Sequence, residues 1–153
     1  MSKRYNVRRY FRKAKRNSER HIRAGNSVIT GNSQQVAYTY TATDACTVKS
    51  IKLDVGMTIG DNESAMCVPY VLVRVQEGYN ANSITYPALT DDLYNPTQEV
   101  LISGIITGTE NEDHKWNMIG RKLKAGDRLC LIFRNTSAQN CEVSFEINFS
   151  VLT

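Results

Sequence analysis

The chain has 153 residues, a formal net charge of +4, 41% hydrophobic residues and four cysteines. That is enough apolar material for one core of ordinary size, and no apolar run approaches the roughly 20 residues that a spanning helix needs. The modest net charge hides a split. Residues 1–23 hold ten Lys or Arg against Glu19 alone, or +9, whereas residues 24–153 hold nine basic and fourteen acidic groups, or −5.

A block of like charge repels itself and buries no core, so residues 1–24 read as a disordered Arg-rich arm that orders only on a polyanion. Nucleic acid is the obvious one, because neutralising phosphates releases condensed counterions. The candidate contacts are Lys3, Arg4, Arg8, Arg9, Arg12, Lys13, Lys15, Arg16, Arg20 and Arg23. Arg8, Arg12, Arg16 and Arg20 recur at i+4 and would share a helical stripe if part of the arm folded on a backbone. Tyr5, Tyr10 and Phe11 interleave with the charges and are read either as base-stacking groups or as bystanders in a solvated tail. Such runs also serve as nuclear import signals. The N-terminus lacks the apolar stretch of a secretory signal.

Residues 25–35, rich in Gly, Asn, Ser and Gln, read as a hinge. Period-2 alternation begins after it and helical periodicity does not return. The expected strands are Val36 to Thr43, then Val48 to Val55 with a phase slip near Ser50 that predicts a bulge. Met66 to Gln76 follows, with Pro69 pointing to a strand start or a sheet edge. Residues 77–97 read as a long surface loop with a short strand near Ser83–Tyr86. Val100 to Ile106, His114 to Lys122, Arg128 to Phe133 and Glu142 to Val151 complete the set, with Ala125-Gly126-Asp127 as a tight turn. Many short strands with turn signals between them specify a sandwich or barrel. The unequal loops favour an all-β, single eight-stranded jelly-roll sandwich over residues 36–153, carrying a disordered basic N-terminal arm.

Little in the sequence suggests catalysis, and no enzyme or cofactor is expected. His21 falls in the arm, and His114 reads as a surface residue at a strand end. No nucleophile, phosphate-loop or dinucleotide motif occurs. Asp91-Asp92 and the Glu110, Glu112, Asp113 group offer oxygen ligands suited to Ca²⁺ between subunits, or simply acidic loops that keep the surface soluble. No metal site is assigned. Cys46, Cys67, Cys130 and Cys141 lack zinc spacing and read as reduced thiols, mostly buried on strands. Arg121, Lys122, Lys124 and Arg128 form a second basic group around the AGD turn, either a solvated turn or an addition to a nucleic-acid-facing surface.

The basic arm from Lys3 to Arg23 and the segment GRKLKAGDRLCLIFRN, Gly120 to Asn135, resemble the capsid proteins of very small icosahedral viruses. Those are the satellite plant viruses and the small circular single-stranded DNA viruses. The resemblance implies a homo-oligomeric shell of about sixty copies with jelly rolls as wall and arms inward, or about 540 positive charges inside. It implies single-stranded nucleic acid as the partner, DNA favoured over RNA, since a tight shell disfavours stiff duplex. The location implied is the virion, with passage through the host nucleus during assembly. Two alternatives remain at this point. One is a single-stranded nucleic-acid-binding β-domain that builds no shell; the other is a trimeric jelly-roll ligand, whose "L-x-x-GD" turn is similar.

Overall fold

The computed structural model describes residues 17–58, 66–81, 98–108 and 112–153, and it contains no α-helix among them. Nine strands are present among the described residues. They are β1 Ser18–Ile29, β2 Gln34–Thr41, β3 Cys46–Thr58, β4 Cys67–Val75, β5 Gln98–Thr107, β6 Glu112–Asn117, β7 Arg121–Leu123, β8 Arg128–Arg134 and β9 Cys141–Leu152.

The strands form two antiparallel sheets. The first runs β1-β9-β3-β6, with β7 following β6 along the same edge of β3; the second runs β2-β8-β4-β5. The chain crosses between sheets at almost every connection. With β6 and β7 counted as one interrupted strand, each sheet has four strands, and the order is that of a jelly roll. The sandwich arises because alternate side chains point inward from both sheets. Val48, Ile51, Leu53, Val143, Ile147 and Phe149 come from one sheet; Tyr70, Leu72, Leu129, Leu131 and Phe133 come from the other, and all are buried.

Ser50 has a left-handed backbone (φ 55°), and the β3–β9 register slips between Lys49 and Lys52. This is the expected bulge, and it restores the inward phase of Ile51 and Leu53. Pro69 lies in β4 one residue before pairing with β8 begins at Tyr70, so its missing N–H falls at the end of that ladder. Gly126 (φ 86°) makes the turn after β7, and Asp127 N–H closes it on Lys124 O at 3.1 Å.

The first strand overturns part of the sequence reading. Ser18–Ile29 falls within the expected arm and hinge, yet it pairs with β9 along its whole length, from Ser18↔Leu152 to Ile29↔Cys141. Three contacts account for this. His21 stacks on Phe149 at 5.2 Å with rings 7° apart and meets Tyr40 edge-on at 5.1 Å, so it is fixed in the body. Gly25, read as a hinge residue, lies under the Phe145 ring, where an added Cβ would come within 2.9 Å of Cζ. Ile29 is fully buried. Only residues 30–33 turn, with Asn32 left-handed (φ 52°) and its N–H bonded to Ser137 O at 2.7 Å. The expected strand from His114 to Lys122 is two strands separated by residues 118–120. The proposed strand at 83–86 and most of the 77–97 loop lie outside the described residues.

Candidate nucleic-acid interface

The outward face of the first sheet can be read from its register. Directly opposed residues of an antiparallel pair share a face, so the solvent side consists of cross-strand rows. The three rows nearest the start of β1 are Ser18–Leu152–Thr47–Lys122, Arg20–Ser150–Lys49 and Ile22–Asn148–Lys52–Trp116. They hold four cations and no acid. The next three are Ala24–Glu146–Asp54–His114, Asn26–Ser144–Gly56–Glu112 and Val28–Glu142–Thr58. They hold four acids and no Lys or Arg. One face thus carries a basic end and an acidic end.

Within the basic end, Arg20 Nε donates to Asn148 Oδ1 at 3.0 Å, which holds the guanidinium over the sheet. Lys52 Nζ lies 4.3 Å from the centroid of the Trp116 ring, a cation–π contact that also steadies the indole. A cleft of 490 Å³ lined by Lys122, Lys124, Arg74 and Thr153 continues the basic surface around the sheet end. The Arg74 charge is already engaged there: Nη2 donates to Asp127 Oδ2 at 2.8 Å and Nη1 lies 3.4 Å from Glu99 Oε2.

In the acidic half, His114 Nδ1 donates to Asp54 Oδ1 at 2.7 Å. That hydrogen bond, together with the Asp54 charge, raises the imidazole above its ordinary value. Glu112 and Asp113, grouped in the sequence as candidate Ca²⁺ ligands, point to opposite sides of β6. Glu112 is on the solvent face, whereas Asp113 Oδ2 accepts the Tyr70 hydroxyl at 2.7 Å. The other members, Asp91, Asp92 and Glu110, lie outside the described residues. No group of three or more metal-ligating side chains occurs among the described residues.

Of the ten arm residues singled out in the sequence, Arg20 and Arg23 are described; Lys3, Arg4, Arg8, Arg9, Arg12, Lys13, Lys15 and Arg16 lie outside, as do Tyr5, Tyr10 and Phe11. Arg20 and Arg23 are both exposed, but an odd spacing on a strand sends them to opposite faces. Arg20 joins the basic rows, while Arg23 shares the His21 face, close enough to Tyr38 to act on its hydroxyl. The second basic group also divides. Arg121 pairs with Glu99 Oε1 at 2.6 Å and Arg128 donates to Tyr79 O, leaving Lys122 and Lys124 exposed.

Lys49, Lys52 and Trp116 escaped the sequence reading as a site because they are scattered between positions 49 and 116. A signal was present in β3, where Thr47, Lys49 and Lys52 fall on one face once the bulge at Ser50 is allowed for. Their convergence with Trp116 depends on the β3–β6 pairing, which no local pattern encodes. All four cysteines are free thiols. Burial pushes Cys46 and Cys130 up, which suits inert core groups.

No protein-family model matches the chain, and no curated protein does. Among solved structures, the BFDV capsid protein aligns in a decameric and in a 60-mer crystal form. Each alignment has 10% identity and a TM-score of 0.42, and each covers 90% of this chain, with 99% and 92% of the other. A likeness this distant decides neither fold nor function.

Proposed function

We propose that the chain is a capsid protein: a structural subunit that self-assembles into a small icosahedral shell and packages a single-stranded genome through its basic N-terminal arm. One observation carries the reading. Residues 1–16, with eight Lys or Arg and no acid, precede β1 at the end of the first sheet where the outward rows carry Arg20, Lys49, Lys52 and Lys122 and no acid. The eight Lys or Arg of residues 1–16 would add to the cations of that sheet end, and phosphate contacts of this kind hold a strand without reading its sequence.

Assembly is supported by where apolar side chains remain uncovered. Val28 is exposed on the β1 edge of one sheet, and Val100 and Ile105 are exposed on β5, the edge strand at the opposite flank of the other. A contact that seats one flank of a subunit on the other flank of the next is heterologous, or head-to-tail. Where the rotation closes, such contacts make the rings from which a shell of about sixty subunits can be built. A single-stranded nucleic-acid-binding domain that stays monomeric would share the arm and the basic rows but would leave those flanks uncovered. In the capsid reading the protein is a virion component, and the same arm would serve for import into the nucleus.

Strand binding as a function of salt tests the proposal. Residues 1–16 contain eight Lys or Arg, and each phosphate neutralised on a single strand contributes about 0.7 to the log–log salt slope. A chain beginning at Asn17 is expected to lose most of that slope while keeping a weak residue from the sheet end. Equal slopes for the two chains contradict the role of the arm.

A further inference from the structure

Trp116 is the chain's single tryptophan, and it stands 67% exposed on β6, an edge strand of the first sheet. Covering an indole is worth much apolar area, so one left in water on a sheet face calls for an occupant. The surroundings narrow its chemistry. Lys52 covers one side of the ring with its ammonium at 4.3 Å. Among the described residues no strand of the sheet lies beyond β6, and the ring is exposed on that side. The row containing Trp116 also holds Asn148, which fixes the Arg20 guanidinium. A π face beside the Lys52 ammonium, in the row whose Asn148 holds the Arg20 guanidinium, suits a flat aromatic group carrying negative charge. A nucleobase with its phosphate fits that description.

We propose that Trp116 is a base-stacking platform for single-stranded nucleic acid, with Lys52 and Arg20 taking the flanking phosphates. The proposal rests on the reading of this surface as a nucleic-acid interface and adds selectivity to it. An unpaired base can leave its neighbours and lie on the indole, whereas a duplex keeps its bases stacked and meets only the cations. The arm alone, a run of charge, supplies no such discrimination. The competing occupant is a second copy of this chain, covering Trp116 together with the exposed Met118 and Ile119.

Because there is one tryptophan, its emission reports on the site without a label. The full-length protein is titrated with a short oligothymidylate, with a duplex of the same length and with inorganic polyphosphate. Saturable quenching by oligothymidylate is expected, with little change on binding duplex or polyphosphate. Trp116→Ala, at an exposed position, is expected to weaken binding of dye-labelled oligothymidylate roughly 5- to 100-fold. Trp116→Phe recovers part of the loss, and polyphosphate affinity stays unchanged in both variants. If the oligonucleotide binds but emission does not move and Trp116→Ala binds as well as the parent, the platform is overturned while the charge-based interface stands. If neither oligothymidylate nor polyphosphate binds, the interface itself fails. Emission that follows protein concentration without any strand, with smaller assemblies for Trp116→Ala, assigns the ring to a subunit contact and overturns the proposal.

Discussion

Asp127 shows how much one side chain carries at the end of the sandwich. Its carboxylate accepts the backbone N–H groups of Lys124 at 2.9 Å and Glu77 at 3.3 Å, together with Nη2 and Nε of Arg74 at 2.8 and 3.2 Å. Burial pushes the carboxyl up, but these donors and the Arg74 charge outweigh it and hold the group below its ordinary value of 3.8. A depressed folded value means that the stabilisation is present in full above about pH 4 and is lost as pH falls through the lower folded value. Asp127→Ala removes a buried carboxylate and strips the part-buried Arg74 guanidinium of its main partner, and it is expected to cost about 2 kcal/mol, measured by urea unfolding at neutral pH. The variant should also lose part of the parent's acid-dependent destabilisation. His114 runs the other way. Its contact with Asp54 raises the imidazole above 6.5, so whatever the pair contributes is complete below about pH 6.5 and fades as pH rises through the folded value. A proton NMR titration should place His114 above the ordinary histidine value, and Asp54→Asn should bring it down; no change in Asp54→Asn contradicts the pairing.

At the scale of the element, β1 separates what a sequence can show from what it cannot. A chain cut to begin at Asn17 removes no described strand residue and is expected to keep the thermal midpoint of the full protein. A chain cut to begin at Thr30 loses the His21–Phe149 stack and the buried Ile29 and bares the whole β9 edge; it is expected to aggregate rather than melt cooperatively. Differential scanning calorimetry of the two truncations decides the matter, and equal midpoints would show that β1 is dispensable. Strands β3, β4, β8 and β9 were legible because their alternation is strong and their inward residues are large and apolar. In β1 the inward positions are His21, Arg23, Gly25, Ser27 and Ile29, a set that looks like loop by composition. Its partner supplies the apolar bulk: Phe149 for His21 and Phe145 for Gly25. The candidate interface divides along the same line. The arm is a local run of charge and can be read directly, whereas the basic rows form only when β1, β9, β3 and β6 are set side by side.

Considered whole, the molecule is a jelly roll whose charge is sorted by position. A cationic arm joins the basic end of one sheet face, acids occupy the other end of that face, and exposed apolar groups lie on opposite flanks. In an isolated subunit this arrangement leaves the arm unbalanced and the flanks wet; a closed shell around a nucleic-acid strand would satisfy both. Electron microscopy of the purified full-length protein, paired with its ratio of absorbance at 260 to 280 nm, tests that directly. Spheres of one size with a nucleic-acid-like ratio are the predicted result. A monodisperse monomer or trimer with a protein-like ratio would contradict the shell, and the basic arm would then need another partner.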